Sequence, residues 1–348
     1  MFFASDNAGP AHPAVLQSVI DANSGYQSSY GADAMMDDVR AMVRTMFEAP
    51  DAAVYLTATG TAANAILLGT MTNPWETIFC APMAHINVDE CNAPEFYSGA
   101  KLTLVDAQNG KMTPDALRNA MAAEQTRGVH GPQRGPVSIT QVTEDGTVHS
   151  LEELRALTAV AKEFDCKTHM DGARFSNALV SLGCTAAQMS WQSGIDAVSF
   201  GGTKNGLLGV ETCVIFDPAL AWEFELRRKR GGHLFSKHRY LSAQMKAYLT
   251  DNLWHDMASA ANASCARLAE GLRGHNTATL LFEPQANMIF VELPRREHKR
   301  LLDAGANYYV WNGDPDVGDP DAPLTGRFVT DWSMTDDAVD QFLSVLRS

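Results

Sequence analysis

The run Ser199-Phe200-Gly201-Gly202-Thr203-Lys204-Asn205-Gly206 sets one lysine in a glycine-lined turn directly after an apolar stretch. If that stretch is a strand, Lys204 stands at its C-terminal end, where open α/β sheets place their ligands. Desolvation in such a turn favours the neutral amine, the form that Schiff-base chemistry needs. An ordinary surface turn would show the same residues. A Walker A loop is excluded, because the GxxxxGK[ST] spacing is absent and Asn205 stands where Ser or Thr is required.

Two further runs have chemical character. Thr168-His169-Met170-Asp171-Gly172-Ala173-Arg174 is a strand pattern ending in a charged turn. Asp171 there is suited to keeping a pyridinium nitrogen protonated, and equally to an ion pair with Arg174 or a helix cap. Leu56-Thr57-Ala58-Thr59-Gly60-Thr61-Ala62-Ala63-Asn64 runs from a strand through small residues into an Ala-, Ile- and Leu-rich helix. The free N–H groups at such a helix start form a phosphate seat, and small residues let the backbone approach. A plain threonine N-cap is the alternative.

The elements that must hold these residues alternate. From about residue 50 to 216 the strand candidates are Ala53–Leu56, Thr77–Cys80, Leu102–Val105, Val137–Val142, Lys167–Met170, Ala197–Phe200 and Cys213–Phe216. One intervening helix has Leu151, Leu154, Leu157, Ala161 and Phe164 on one face, opened by a Ser150/Glu153 capping box. This alternation predicts an α/β fold with a mainly parallel sheet covered by helices on both faces. After Pro218, helical stretches at about 218–230 and 254–272 precede strands at Met288–Leu293, Tyr308–Trp311 and Arg327–Thr330, with Asn312–Pro323 as a loop. A last helix starts near Thr335, with Asp336 and Asp337 in its first turn. The expected division is a large domain over residues 1–245, N-terminal arm included, and a smaller α+β domain over 246–348.

Composition excludes several partners. The chain of 348 residues carries a formal charge of −14, which argues against nucleic acid or an anionic membrane, despite the basic run Arg227-Arg228-Lys229-Arg230. No stretch has the length of a membrane span and no signal peptide is expected. The six cysteines form no CxxC pair and sit mostly in apolar runs, as expected of reduced core residues in a cytoplasmic protein. The ten histidines show no tight ligand spacing, so no metal is expected.

Six motifs then appear in order. They are Ser5-Asp6-Asn7, Tyr30-Gly31-Ala32-Asp33, Thr59-Gly60-Thr61-Ala62-Ala63-Asn64, Ala84-His85-Ile86-Asn87-Val88-Asp89-Glu90-Cys91, His169-Met170-Asp171-Gly172-Ala173-Arg174-Phe175-Ser176-Asn177-Ala178, and Phe200-Gly201-Gly202-Thr203-Lys204-Asn205-Gly206. With Arg239-Tyr240-Leu241-Ser242-Ala243 they resemble the aspartate-aminotransferase-like (fold type I) pyridoxal 5'-phosphate enzymes. Within these the sequence is similar to the threonine aldolase family, in its low-specificity L-threonine and phenylserine aldolase branch. The resemblance implies that Lys204 carries the cofactor, Asp171 pairs with its ring nitrogen, and Gly60 and Thr61 hold its phosphate. It also implies that His85 stacks on the ring and that Ser5, Arg174 and Arg327 bind the substrate carboxylate. Lys229, and Tyr30 with it, would serve a neighbouring subunit's site in a homo-oligomer, dimer or tetramer, with shared active sites. The implied substrate is a small β-hydroxy-α-amino acid, cleaved to glycine and an aldehyde. Other branches carry a second histidine where Glu144 stands here, so that residue's role as a base does not transfer. The β-hydroxyl proton is then left to His85, Glu144 or a water. On the same scaffold, β-elimination and transamination are the rival reactions. A binding protein without turnover is the rival from another class, and the intact Lys, Asp and Arg set argues against it.

Overall fold

In the strands Ala53–Thr57, Ala197–Gly201 and Glu211–Ile215, neighbouring residues alternate between two buried layers. Val54, Leu56, Met170, Val198 and Val214 face one core, while Tyr55, Ala197, Cys213 and Ile215 face another with Phe224. Strands buried on both sides in this way belong to a sheet sandwiched by helices. The computed structural model describes residues 1–348. Its main sheet has seven strands: β1 (Ala53–Thr57), β2 (Glu76–Cys80), β3 (Lys101–Leu104), β4 (Gln133–Thr140), β5 (Thr168–Gly172), β6 (Ala197–Gly201) and β7 (Glu211–Ile215). Their order is β1-β7-β6-β5-β4-β2-β3. β7 alone is antiparallel to its neighbours β1 and β6. The other pairs are parallel.

That topology has a direct consequence for the site. Because β1, β2, β4, β5 and β6 share one direction, the loops after them all emerge at one edge. Those loops carry Gly60, His85, Glu144, Arg174 and Lys204. The helix after β1, α1 (Gly60–Met71), is capped by Thr59, whose side chain accepts from the Ala62 N–H. α2 (Leu151–Glu163) starts with the anticipated capping box of Ser150 and Glu153.

The second sheet has β8 (Thr279–Leu280), β9 (Met288–Pro294), β10 (Tyr309–Trp311) and β11 (Pro323–Val329), in the order β8-β9-β11-β10 and antiparallel throughout. It packs with α3 (Leu253–Arg273) and α4 (Asp336–Arg347) around Leu268, Ile289, Phe328 and Phe342. Phe3 belongs to this second core, held by its N–H to Asn307 O at 2.7 Å and by Val329 N–H to its own carbonyl at 2.8 Å. The N-terminal arm is thereby tied to the second sheet, which delivers Ser5 and Asp6 to the edge where the loops meet.

Most strand starts fall within two residues of expectation, and two lie four residues earlier. β4 begins at Gln133 rather than Val137, and the reason is Gly135-Pro136, a pair that reads as a breaker. Gly135 is needed there, since an added Cβ would lie 2.7 Å from Thr77 O on the adjacent strand. β11 begins at Pro323 rather than Arg327, because Pro323 pairs opposite Pro294 at the strand terminus, where no ladder bond is lost. No helix is long and apolar enough to cross a membrane.

Candidate active site

The loops at the sheet edge, the N-terminal arm and the second sheet enclose a cavity of about 400 Å³. Its walls include Ser5, His85, Glu144, Arg174, Lys204 and Arg327. Five residues singled out in the sequence for chemistry, with Glu144, thus converge from segments up to 323 positions apart. Met83, Val88, Tyr309 and Trp311 add apolar wall, and Asp89 and Asp145 add acidic rim.

Lys204 is half-buried and has no hydrogen bond or ion pair within the protein. Its turn is packed tightly: a Cβ on Gly201 would run into the carbonyl of Ala173. The lysine turn and the aspartate turn can therefore lie against each other only because residue 201 is glycine. Asp171 is buried, with Oδ1 accepting from Ala173 N–H at 3.1 Å and Oδ2 from the Asn64 amide at 2.9 Å. It makes no pair with Arg174.

Arg174 is bound instead by Asp6, through Nε at 2.7 Å and Nη2 at 2.9 Å. Both side chains are buried, and breaking such a pair costs about 3–5 kcal/mol, so the guanidinium is rigidly fixed. Burial alone would push the Asp6 carboxyl up. The charges of Arg174 and Lys204 and the hydrogen bonds of Arg174 and Asn287 outweigh it and hold Asp6 below the usual carboxylate range. Only Nη1 of Arg174 is left without a protein partner. Arg327 is freer: its one bond is a long contact from Nη1 to Ala4 O at 3.4 Å. Burial, then the neighbouring Arg174 charge, pushes its guanidinium below the usual value, with Glu144 and Asp6 opposing.

His85 is half-buried, and its Nδ1 lies 2.8 Å from Glu90 Oε1. That hydrogen bond raises its pKa, against the opposing effect of burial, with Asp171 adding to the rise and Lys204 opposing it. Glu144 projects into the same cavity with no hydrogen bond or ion pair of its own.

Asp171, Gly60 and Thr61 lie outside the cavity's walls. Asp171 connects to it through Asn64, which also bonds Glu90 at 2.9 Å. At the start of α1 the Ala62 N–H is taken by Thr59 Oγ1 and the Ala63 N–H by Thr59 O. The N–H groups of Gly60 and Thr61 take neither, and a Cβ on Gly60 would meet nothing within 4 Å. An open, anion-receptive helix end is the result. Lys229 and Tyr30 are likewise outside the cavity. They meet each other on the surface, the Lys229 ammonium 4.7 Å from the Tyr30 ring centre.

Sequence reasoning attached no role to Asp6, Asn64 or Glu90. The available signal was polarity in apolar surroundings, as with Asn64 amid Ala62, Ala63, Ala65 and Ile66, all buried.

An aspartate-aminotransferase-like α/β enzyme (fold type I) is the class that this fold and this constellation define. Residues 3–294 match the family model described as Beta-eliminating lyase. The chain is 38% identical over 313 residues to a low specificity L-threonine aldolase of Pseudomonas aeruginosa, covering 90% of each. It is 36% identical over 348 residues to a low specificity L-threonine aldolase of a Pseudomonas species, covering 99% of this chain and 97% of the other. Among solved structures, a threonine aldolase of Leishmania major superposes with a TM-score of 0.92 at 25% identity, covering 99% of this chain and 98% of that one. A serine palmitoyltransferase of Sphingomonas wittichii shares the fold, with a TM-score of 0.73 at 16% identity and coverage of 99% and 86%. The chain belongs to the Beta-eliminating lyase family.

Proposed function

We propose that the protein is a pyridoxal-phosphate-dependent aldolase that cleaves L-threonine or a related β-hydroxy-α-amino acid, phenylserine among them, to glycine and an aldehyde. The observation that carries this reading is the meeting of Lys204, His85, Arg174 and Arg327 in one cavity beside a buried aspartate. The relatives named as threonine aldolases support it.

The residues present suit the cofactor. The free N–H groups of Gly60 and Thr61 would take its phosphate, the unpaired amine of Lys204 its aldehyde carbon, and Asp171 the proton-bearing ring nitrogen. His85 would pack against the ring. When bound, the cofactor supplies an electron sink for the α-carbon of the substrate. Arg327, with Arg174 Nη1 and Ser5, would grip the substrate carboxylate, and that grip decides which bond of the α-carbon is presented for cleavage. His85 Nε2, the unpaired carboxylate of Glu144 or a water held in the cavity would accept the β-hydroxyl proton.

Incubated with L-threonine or phenylserine and no added keto acid, the enzyme should release glycine and aldehyde in equal amounts. Formation of 2-oxobutyrate and ammonia from threonine would instead make it an eliminase. Growth of pyridoxamine phosphate in step with a keto acid would make it a transaminase.

The acid limb of kcat against pH tests His85 as the proton acceptor. Glu90 favours protonated His85, so an essential neutral His85 should place the limb above the ordinary imidazole range of about 6.5. An acid limb that is not raised in this way takes the step away from His85.

Replacing Arg327 by Lys keeps the charge and removes the planar fork. KM should rise and kcat fall together, each by about tenfold, a loss of ~1.4 kcal/mol apiece. Unchanged steady-state kinetics would place the carboxylate grip elsewhere.

We further propose that the protein is a cytoplasmic homo-oligomer, dimer or tetramer, in which Lys229 reaches a neighbouring subunit's phosphate site and Tyr30 its substrate. Both are exposed, on a surface that also exposes Phe96, Trp222 and Leu226, an apolar set that suits an interface. The six free cysteines suit a reducing compartment. We also divide the chain into a large cofactor-binding part over residues 1–245 and a small part over 246–348. The separate core around Ile289, Phe328 and Phe342 supports that division.

A further inference from the structure

Beneath the cavity lies a chain of buried hydrogen bonds whose direction can be worked out atom by atom. Asn64 donates from Nδ2 to two carboxylates, Asp171 Oδ2 at 2.9 Å and Glu90 Oε1 at 2.9 Å. Carboxylates only accept, so the amide orientation is fixed, with Oδ1 facing Ser199. Ser199 Oγ donates to that Oδ1 at 2.7 Å. Ser199 Oγ must then accept from His169 Nε2, 3.0 Å away, and His169 Nδ1 must accept from Ser138 Oγ, also at 3.0 Å. Burial agrees with this neutral tautomer, since it pushes His169 down to about 4.

Every proton in the chain therefore points one way, from Ser138 on β4 through β5 and β6 to Asn64 on α1. It ends on two carboxylates that serve different groups. Asp171 stands at the end of β5. Glu90 holds His85, and because its Oε1 only accepts, Nδ1 of His85 is the donor and Nε2 is left facing away from Glu90. The Glu90 side chain has no exposure, and its Oε2 has no partner at all. Two buried carboxylates sharing one amide repel each other, and the two N–H groups of Asn64 are what hold them together.

We propose that Asn64 is a positioning residue that sets Asp171 and the Glu90–His85 pair as one unit, so that neither can be moved without disturbing the other. This rests on the reading of the cavity as a pyridoxal-phosphate site. Besides Glu90, the charged groups facing His85 are Asp171 and Lys204, with Asp89, Glu144 and Asp145 lining the same cavity. A residue that merely filled space under the sheet would leave both carboxylates working independently.

The test is a double-mutant cycle on the holoenzyme with Asn64→Leu, Glu90→Gln and both together. Each single variant should lower kcat on the order of 10- to 100-fold, with KM changed by less than about threefold. The double variant should be no slower than the worse single one, a coupling on the order of tenfold or more. Two measurements accompany the kinetics: the visible absorption band of bound pyridoxal phosphate and its dissociation constant from the apoprotein. Asn64→Leu should displace the band, because Asp171 loses its fixed orientation. The dissociation constant should rise by less than about tenfold, because Lys204 and the helix end still hold the cofactor. Multiplicative losses in the double variant, or an unmoved band in Asn64→Leu, would overturn the proposal. If Asn64→Leu does not fold, Ser199→Ala takes its place in the cycle, since it removes the hydroxyl that donates to the amide oxygen of Asn64 and holds the amide in place between the two carboxylates. A kcat loss of a few-fold coupled to Glu90→Gln supports the proposal, and an uncoupled or absent loss overturns it. A wild-type protein that takes up no pyridoxal phosphate overturns the functional reading and this inference together, whereas uptake with uncoupled variants overturns this inference alone.

Discussion

Lys204→Ala should remove turnover by at least on the order of 10³-fold while leaving the protein folded and as heat-stable as the parent. The two halves of this expectation come from the same observation. Lys204 makes no hydrogen bond or ion pair within the chain, so deleting its amine breaks no structural contact. What disappears is the one nucleophilic amine in the cavity, and losing a covalent group removes the pathway rather than weakening one interaction. Asp6 loses a favourable neighbouring charge, but Arg174 remains in contact with it at 2.7 Å and outweighs Lys204 in stabilising the carboxylate. The measurement is direct. The parent protein should turn yellow with pyridoxal phosphate, and borohydride should fix a pyridoxyl group on the peptide containing Lys204. The variant should show neither the colour nor the label, and glycine release should fall to the background rate. Labelling of any other lysine in the parent, or substantial glycine release by the variant, would rule out this assignment.

The difference between what the sequence disclosed and what it hid follows from chain distance. The strands β1, β6 and β7 of the main sheet were legible because burial on both faces makes them largely apolar runs, and Lys204, Asp171 and Gly60 were legible because each lies just past a strand pattern. β4 lost its first residues to Gly135-Pro136, which act locally as a breaker and tertiary packing overrides. The bond between Asp6 and Arg174 spans 168 positions, and no local pattern encodes it. For that reason the sequence offered Arg174 to the cofactor, to the substrate or to an ion pair with Asp171, whereas two of its three guanidinium nitrogens are occupied by Asp6. Asn64 shows the limit of a different kind. It lies inside an apolar helix, and its partners Asp171 and Glu90 come from the end of β5 and the segment after β2. Composition identifies a buried amide as important; only the fold tells which carboxylates it separates.

Asp171→Asn should cut kcat by on the order of 10²- to 10³-fold with a change in KM of less than about threefold. The substitution keeps shape and removes charge, so cofactor uptake through Lys204 and the helix end persists. In the proposed assignment the lost quantity is the carboxylate that would keep a proton on the ring nitrogen, on which the cofactor's capacity as an electron sink would depend. The loss therefore falls on the transition state and appears in kcat rather than in binding. A second cost comes from the hydrogen bonds. Asp171 accepts at both oxygens, from Ala173 N–H at 3.1 Å and from Asn64 Nδ2 at 2.9 Å. An asparagine has one oxygen, so whichever way its amide turns, one N–H donor will face another. An unmet buried donor costs about 1–3 kcal/mol, which should appear as a lower melting temperature. Asp171→Ala provides the comparison, because it removes the charge together with both acceptors and leaves the Ala173 N–H and Asn64 Nδ2 unmet. If protonation at the ring is the role of Asp171, both variants should lose kcat alike, while Asp171→Asn alone retains a competent shape for the cofactor. A near-normal kcat in Asp171→Asn would show that the buried carboxylate serves only to anchor Asn64 and the turn at Ala173.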